Sequence, residues 1–237
     1  MSLKVLQQKS QIENARYKLM KMRASAVSSA LQKFLRRAHL SRAPLVGDIL
    51  KSWDVLLTLN FIEKNVPKDG SILDMGCYAS EIIVALHKMG FSRLTGIDMN
   101  PDVKKMPYQN SIQYEIGDFM RTKFADASFS AITSISVIEH GFDSHLLLRE
   151  ISRILSPGGY FIASFDYWPE KIDTTDKKLF GMDWRIFSRN EVVDFIKQAE
   201  DYGLFPDGEM MFESKDKTVS FDGHQYTFAW MVLRKRR

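Results

Sequence analysis

The 237-residue chain is 45% hydrophobic and 26% charged, which is typical of a globular protein with one main domain and a shorter appendage. No run of about 18 apolar residues occurs, so we expect no transmembrane helix. A single cysteine, Cys77, excludes an internal disulfide and a metal site with several thiolate ligands. We expect a cytoplasmic protein without a bound metal ion.

The net charge of +4 is unevenly distributed along the chain. Residues 1–40 contain nine lysines and arginines and one glutamate, a net charge of +8, and residues 234–237 add +4. By subtraction, residues 41–233 carry 20 basic and 28 acidic groups, a net charge of −8. An acidic body repels polyanions, so we expect no nucleic-acid partner, and contact with an anionic surface would have to involve the two ends.

The first 65 residues have the apolar spacing of helices. Gly and Pro are absent before Pro44, and apolar residues recur at intervals of three and four, which predicts one or two basic helices ending near 41–44. A further helix is predicted over 46–65, ended by Pro67 and Gly70. We predict that residues 1–65 form an N-terminal helical extension of a domain covering residues 66–237.

From residue 71 the pattern changes to short apolar runs separated by helical segments. The runs at 72–75, 94–97, 112–116, 129–137 and 160–165 predict strands, and the segments 80–89 and 144–155 predict helices. Strands that alternate with helices form a mostly parallel sheet with helices on both faces.

The last third of the chain begins with an aromatic stretch that has no period. We predict that 166–187 is an insertion outside the sheet, which either forms a lid over a substrate or packs against the sheet. The sequence Ser188-Arg189-Asn190-Glu191 is a capping box that predicts the start of a helix. Asp222-Gly223 predicts a hairpin turn, and the apolar segment 226–233 predicts its second strand.

Three carboxylates follow successive predicted strands. Asp74 and Gly76 lie where the first strand enters a turn and a helix, a place where backbone N–H groups can meet a polar ligand. Asp98 ends the second strand, where a carboxylate can accept hydrogen bonds from ribose hydroxyls. Asp118 follows the third strand and could accept from an adenine amine. All three are expected at one edge of the sheet, where open α/β folds bind ligands.

Five segments together resemble the class I S-adenosylmethionine-dependent methyltransferases, most of all the small-molecule and glycan-modifying members. They are ILDMGCYAS, LTGIDMNP, IGDF, SVIEH and EISRILSPGGYF, between about residues 71 and 166. The family's first motif reads Asp-x-Gly-x-Gly-x-Gly, from which Tyr78 and Ser80 depart. A dinucleotide-binding dehydrogenase is the rival interpretation, but the G-x-G-x-x-G fingerprint that it needs is missing.

The resemblance implies a Rossmann-like, seven-stranded, mostly parallel sheet with an antiparallel terminal hairpin. It implies S-adenosyl-L-methionine as cofactor and methyl transfer to a small-molecule or sugar acceptor, with oxygen as the expected atom. The implied cofactor-binding residues are Asp74, Gly76, Cys77, Tyr78, Asp98, Met99, Asp118, Phe119, Ser134 and Ile135. Asp166, Tyr167 and Trp168 lie just beyond the fifth predicted strand, at the same sheet edge, and are the expected substrate contacts; packing of the insertion onto the sheet stays open for Tyr167 and Trp168.

His140, just past the fourth strand, is the candidate catalytic base for a hydroxyl acceptor. The competing interpretation, which we favour, is that Glu139 and His140 orient the loop and start the next helix. For Trp184 and Phe187, packing of the insertion onto the sheet is favoured over a role in a lid.

Several alternatives stay open at this point. The basic N-terminal helices are interpreted, in order of preference, as a solvated face, as a cover over the active site, or as a contact with an anionic lipid surface or polyanion. A homodimer is an open alternative to a monomer. The competing function is a catalytically inert cofactor-binding or partner subunit whose first motif is degenerate at Tyr78.

Overall fold

A computed structural model describes residues 2–41, 43–179 and 181–236. Its helices are α1 (Lys9–Lys21), α2 (Ala30–Arg37), α3 (Ser52–Asn65), α4 (Ile82–Lys88), α5 (Ser144–Ile154) and α6 (Arg189–Asp201). Its strands are β1 (Leu3–Val5), β2 (Ser71–Met75), β3 (Arg93–Asp98), β4 (Ile112–Ile116), β5 (Phe129–Ile135), β6 (Leu155–Tyr167), β7 (Lys178–Leu179), β8 (Met182–Asp183), β9 (Leu204–Pro206), β10 (Val219–Phe221) and β11 (His224–Lys235).

The central sheet has the order β1-β11-β6-β5-β2-β3-β4. Strands β4, β3, β2, β5 and β6 run parallel, and β11 lies antiparallel to β6. This confirms the Rossmann-like, mostly parallel sheet. The predicted hairpin joins β10 to β11, and Asp222 and Gly223 have the positive φ values, 45° and 78°, that a tight hairpin turn needs.

The sheet has nine strands instead of the seven expected. Strand β11 is 12 residues long, and three short strands, β1, β9 and β10, pair with it. Their pairing hides backbone groups that would otherwise be exposed at a long sheet edge. A strand of three residues has too short a pattern to be recognised in the sequence, which is why the pairings of β1 and β9 were missed.

Helices cover both faces of the sheet. One core contains buried residues of α1, α3 and α4, and the other contains those of α5 and α6. Neighbouring residues of β2 enter different cores, since Ile72 belongs to the first and Leu73 to the second. This is the alternation expected of a strand that is buried on both faces.

The strand order of the sheet reverses at β2. Strands β3 and β4 extend the sheet on one side of β2, and β5 and β6 extend it on the other. The turn at Gly76 therefore lies beside the turn at Ser136, which follows β5. Open α/β sheets bind ligands at such a switch point.

The N-terminal segment differs from its prediction at two places. Residues Leu3–Val5 form an edge strand instead of part of a helix, because Leu3 and Val5 are buried where the segment pairs with β11. The helix predicted over 46–65 is regular only from Ser52, after a 3-10 turn at Ile49–Lys51. Gly47 has a φ of +78°, which a right-handed helix cannot contain. The domain boundary at residue 65 stays a prediction.

The aromatic insertion forms a small structure of its own. Strands β7 and β8 pair only with each other among the described residues, and Phe180, between them, lies outside those residues. Trp184 and Phe187 are buried, one in each core. The helix predicted from the capping box begins as expected, with Ser188 and Glu191 making both reciprocal hydrogen bonds.

Two features are absent from the described part of the chain. None of its helices combines the length and apolar content needed to cross a bilayer. No group of three or more His, Cys, Asp or Glu side chains within residues 2–41, 43–179 and 181–236 is placed to hold a metal ion.

Candidate cofactor and acceptor site

Two cavities adjoin at the carboxyl ends of β2 and β5. The first, which we call the cleft, has a volume of about 550 Å³. The second, which we call the chamber, has a volume of about 420 Å³ and lies beside the N-terminal segment. Four residues line both cavities: Gly76, Tyr78, Ser136 and His140. The cleft is further lined by Asp98, Met99, Asn100, Phe119, Val137 and Met182.

Asp98 fixes the turn after β2. Its Oδ2 accepts a hydrogen bond from the backbone N–H of Tyr78 at 2.9 Å, and its Oδ1 accepts from the backbone N–H of Asn100 at 2.8 Å. An ionised carboxylate can accept about four hydrogen bonds, so each oxygen keeps a lone pair for a ligand hydroxyl. Asp98 is therefore suited both to hold the turn and to accept from a ribose at the cleft wall.

Gly76 is required by the close approach of two turns. Its φ is +71°, and a Cβ added there would lie 2.3 Å from Cγ2 of Val137. Any larger residue would push apart the turns that follow β2 and β5. The glycine thus keeps the cleft and the chamber next to each other.

Tyr78 stands in the turn without backbone strain. The left-handed conformation falls instead on Ala79, with a φ of 61°. The expectation that the turn amides would stay available to a ligand is not met. The N–H groups of Gly76 and Cys77 both donate to the carbonyl of Ile97, and that of Tyr78 donates to Asp98. The side chains and the shape of the cleft must therefore provide most of the contacts to a bound cofactor.

The predicted adenine contacts are separated by the structure. Met99 and Phe119 line the cleft, where their apolar side chains can cover a ring. Asp118 is exposed and does not line the cleft, and its Oδ1 accepts from the backbone N–H of Met120 at 2.8 Å. A short local turn therefore holds this carboxylate away from the cavity.

Three predicted cofactor contacts lie beneath the cleft and do not line it. Asp74 is buried and accepts a 2.6 Å hydrogen bond from the hydroxyl of Thr133. Burial raises the pKa of Asp74 to about 7. Cys77 packs against Gly96, and burial raises its thiol pKa. Ser134 is buried within β5, and only its neighbour Ile135 lines the chamber.

The N-terminal segment forms one wall of the chamber. Gly47, Asp48, Leu50 and Lys51 line it. Glu81, at the start of α4, holds this segment in place. Its carboxylate accepts hydrogen bonds from the backbone N–H groups of residues 26 and 27, and it forms an ion pair with Arg16 of α1 at 3.1 Å. The second interpretation of the basic segment, a cover over the site, therefore has structural support.

A buried group of charges lies on the chamber wall. Lys51 Nζ lies 3.6 Å from Asp166 Oδ1 and 3.4 Å from the ring centroid of Phe228. The indole N–H of Trp184 donates to Asp166 Oδ2 at 2.8 Å. Glu139 accepts a 2.6 Å hydrogen bond from the Ser136 hydroxyl through Oε1. No hydrogen-bond partner of its Oε2 lies among the described residues.

The pKa values of this group reflect its burial. Burial raises the pKa of Glu139 far above its usual range, the negative charge of Asp166 adds to the shift, and Lys51 opposes it. Burial lowers the pKa of Lys51, but the charges of Asp166, Asp54, Glu139 and Asp48 outweigh that effect and the net shift is upward. The lysine is therefore charged and Glu139 protonated near neutral pH.

The ionisation of Glu139 predicts a pH dependence of stability. A carboxyl whose folded-state pKa is raised stabilises the fold below its ordinary pKa, and that contribution is lost as pH rises through the raised value. Each unit of pKa shift corresponds to about 1.4 kcal/mol. We expect the free energy of unfolding, measured with urea, to fall between pH 5 and pH 8. In Glu139→Gln this fall should be smaller, by about 1 kcal/mol or more. An equal fall in both proteins would contradict the assignment.

His140 lies at the junction of the cleft and the chamber. Its backbone N–H donates to Val137 at 3.0 Å, and its backbone bridges to Trp184 of the insertion. Burial lowers its side-chain pKa, Lys51 adds to that shift, and Asp166 opposes it. The imidazole is therefore neutral at pH 7, the state required of a proton acceptor.

The predicted substrate contacts divide along β6. Asp166 lines the chamber. Tyr167 does not, because adjacent residues of a strand point to opposite faces, and its hydroxyl donates to the carbonyl of Phe212 at 2.8 Å. Trp168 lies outside both cavities, with Lys217 Nζ 4.9 Å from its ring centroid. The side chains of Tyr167 and Trp168 therefore line neither cavity, and their role as substrate contacts stays a prediction.

Sequence reasoning missed Lys51 and Ser136. Lys51 lies among the apolar residues that precede α3, but Asp48 and Asp54 are charged as well, so the pattern does not single the lysine out. Nothing in the sequence indicates that this lysine meets Asp166, 115 residues later. Ser136 has a φ of 57°, which only the structure reveals.

Comparison with known proteins agrees with this arrangement. Residues 73–163 match the family described as "Methyltransferase domain". The chain is 24% identical over 113 residues to norajmaline N-methyltransferase of Rauvolfia serpentina, which covers 44% of this chain and 39% of that protein. It is 23% identical over 168 residues to ubiquinone biosynthesis O-methyltransferase of Xanthomonas oryzae pv. oryzae (strain PXO99A), which covers 65% of this chain and 69% of that protein.

The fold is also similar to solved structures. One is geranyl diphosphate C-methyltransferase from Streptomyces coelicolor A3(2) in complex with Mg²⁺, geranyl diphosphate and S-adenosyl-L-homocysteine. The TM-score is 0.56 at 14% sequence identity, and the match covers 81% of this chain and 89% of that one. The chain spans well under half the length of the norajmaline enzyme. Residues 73–163 are thus similar to a methyltransferase domain, and the protein has the fold of the class I S-adenosylmethionine-dependent methyltransferases.

Proposed function

We propose that this protein transfers a methyl group from S-adenosylmethionine to an oxygen of a small-molecule or sugar acceptor. The supporting observation is that the cleft and the chamber share Gly76, Tyr78, Ser136 and His140. A cofactor in the cleft would present its methyl group to an acceptor in the chamber. Holding two reactants in line with water excluded supplies a large part of the catalysis of such a displacement.

The side chains of the cleft fit the proposed cofactor. Asp98 has lone pairs available for the ribose hydroxyls, and Met99 and Phe119 offer apolar surface to the adenine. A volume of about 550 Å³ lies within the usual range for small-molecule sites. When bound, S-adenosylmethionine supplies an electrophilic methyl group on a sulfonium sulfur.

The chamber fits an acceptor with an apolar body and a polar end. Its walls include Leu50, Val55 and the aromatic rings of Tyr226 and Phe228, whereas Asp166, Lys51 and Glu139 form a polar end. With Glu139 protonated, the negative charge of Asp166 is balanced by Lys51, which favours a neutral hydroxyl over a second charge. The proposal therefore places a hydroxyl group, either of a sugar or of another small molecule, beside these three side chains.

An acceptor panel tests this proposal. The protein is incubated with S-adenosylmethionine and matched sets of hydroxyl, amine and carbon acceptors, and formation of S-adenosylhomocysteine is measured. Turnover is expected with a hydroxylated compound, and Asp166→Asn should raise the KM for that compound. Turnover confined to amines or carbon nucleophiles would contradict methyl transfer to oxygen.

The role of His140 has its own test. If His140 accepts the proton of the hydroxyl, kcat should rise with pH to a plateau, with a midpoint below pH 6.5, because the pKa of His140 is lowered. His140→Ala should lower kcat by about 100-fold or more, which is the usual contribution of a general base. Unchanged turnover in this variant would leave His140 with the orienting role that we favoured from the sequence.

The competing proposal is an inert cofactor-binding or partner subunit, motivated by Tyr78 in place of a glycine. It is favoured by the turn amides, which already have acceptors within the protein. Titration calorimetry with S-adenosylhomocysteine and a turnover assay separate the two. Micromolar binding with turnover supports the enzyme, whereas binding without turnover, or no binding, supports the inert subunit. A cytoplasmic location and a homodimer both stay predictions.

A further inference from the structure

Helix α2 has no core to pack against. None of its eight residues is buried. Leu31 and Phe34 are 64% and 62% exposed, and Leu40, just beyond the helix, is 74% exposed. Helices in globular proteins are stabilised mainly by burying an apolar face, so a short helix whose apolar residues are in water indicates a surface that is covered by something else.

The exposed helix belongs to a segment whose two ends are fixed to the rest of the protein. Residues 28 and 46 mark its ends: the backbone N–H of Ser28 donates to the carbonyl of Val46, and the backbone N–H of Val46 donates to the hydroxyl of Ser28, both at 2.8 Å. Ser28 and Val46 are both buried. The segment 29–45 thus leaves and re-enters the fold at a single anchored point.

The residues of α2 are divided into two faces. Leu31, Phe34 and Leu35 recur at intervals of three and four and lie on one side of the helix, and Lys33, Arg36 and Arg37 lie on the other. The helix is capped, since Ser29 and Gln32 form reciprocal hydrogen bonds at its start. Strong amphipathicity with arginine and lysine on the polar face is typical of helices that lie in a membrane interface.

Further exposed apolar residues follow α2 in the chain, up to the wall of the chamber. Leu45, Ile49 and Leu50 are also exposed, and Leu50 lines the chamber as well. We define the docking surface as Leu31, Phe34, Leu40, Leu45, Ile49 and Leu50. Three of its residues, Leu31, Phe34 and Leu40, lie within residues 1–40, which carry a net charge of +8.

We propose that the docking surface binds the interface of an anionic lipid bilayer. The leucine and phenylalanine side chains enter the boundary between headgroups and acyl chains, and Lys33, Arg36 and Arg37 contact the anionic headgroups. Each basic residue close to an anionic surface strengthens the binding by about fivefold, and the attraction is screened by salt. This goes beyond methyl transfer and needs no cofactor, so its failure would leave the proposed enzyme activity untouched.

Vesicle co-sedimentation of the full chain tests the proposal. We expect binding to vesicles of phosphatidylcholine with phosphatidylglycerol, weaker binding to phosphatidylcholine alone, and loss of the difference at high salt. Leu31→Ser with Phe34→Ser should weaken binding by more than about tenfold, because two apolar side chains no longer leave water. Replacing Lys33, Arg36 and Arg37 by glutamine should weaken binding to the anionic vesicles by about 100-fold.

Two controls separate lipid binding from general effects. Leu146→Ser removes a 40% exposed leucine of α5 and should leave vesicle binding unchanged. Replacing residues 29–45 by a short glycine linker between the anchored Ser28 and Val46 should abolish vesicle binding while calorimetry with S-adenosylhomocysteine stays unchanged.

Three results would overturn the proposal. They are absence of vesicle binding by the unmodified chain, equal binding by the Leu31/Phe34 variant, and a concentration-dependent dimer that this variant dissociates. The last result, seen by analytical ultracentrifugation, would assign the surface to a second copy of the chain.

Discussion

Replacement of Asp98 by alanine is expected to weaken the binding of S-adenosylhomocysteine by about 100-fold. A hydrogen bond to a charged group contributes about 1.5–3 kcal/mol, and the carboxylate would lose its bonds to the ribose of the ligand. The variant would also release the turn, since the backbone N–H of Tyr78 donates to Asp98 Oδ2 at 2.9 Å. Titration calorimetry measures the loss directly.

Asp118→Ala is the matched control for this prediction. Both aspartates follow strands at the same edge of the sheet, but Asp118 is exposed and does not line the cleft. We expect its removal to change the affinity by less than about threefold, because surface substitutions have small effects. Equal losses in the two variants would show that Asp98 has no special position. Unchanged binding in Asp98→Ala would remove it from the site.

Replacement of Gly76 by alanine is expected to have the second largest effect. The new Cβ would lie 2.3 Å from Val137 Cγ2, and the residue would keep a φ of +71°. The left-handed conformation costs about 1–2 kcal/mol for a residue with a Cβ, and overpacking adds about 1–3 kcal/mol. We expect the free energy of unfolding to fall by about 3 kcal/mol in total and cofactor binding to be lost.

Gly90→Ala isolates the backbone part of this effect. Gly90 has a φ of +88°, but nothing lies within 4 Å of a Cβ added there. Its variant should lose only the conformational contribution, and the difference between the two variants measures the clash. Combining Gly76→Ala with Val137→Ala should recover that difference in urea unfolding experiments. No recovery in the double variant would show that the contact between the two turns is not the cause.

The sequence was sufficient for the parts of the fold that depend on local pattern. Short, largely apolar runs of four to nine residues predicted the parallel strands, since both faces of such a sheet are buried. The capping box at Ser188 and the turn at Asp222-Gly223 were found because each rests on residues close together in the chain. Strand β1 could not be found, because its only support is pairing with β11 at the far end of the sequence.

The sequence predicted which strand ends form the site, but not in which direction their side chains point. Asp98, Met99 and Phe119 line the cleft as expected, because turns that leave parallel strands meet at one edge of the sheet. Asp166 and Tyr167 were both selected, although alternation allows only one of two adjacent strand residues to face the chamber.

Contacts across the chain were the other limit of sequence reasoning. Lys51 reaches Asp166 only through the packing of the N-terminal segment against the sheet. Likewise, the turn amides were expected to be available to a ligand, and only the three-dimensional structure shows that Ile97 and Asp98 accept from them.

The central claim is that a cofactor in the cleft presents its methyl group to the chamber at the junction formed by Tyr78, Ser136 and His140. A crystal structure of the protein with S-adenosylhomocysteine tests it most directly. We expect the ribose hydroxyls at Asp98, the adenine beside Phe119, and the sulfur facing the opening toward the chamber. Density for the Tyr78 ring inside the cleft, with no nucleoside bound at saturating ligand, would contradict the claim.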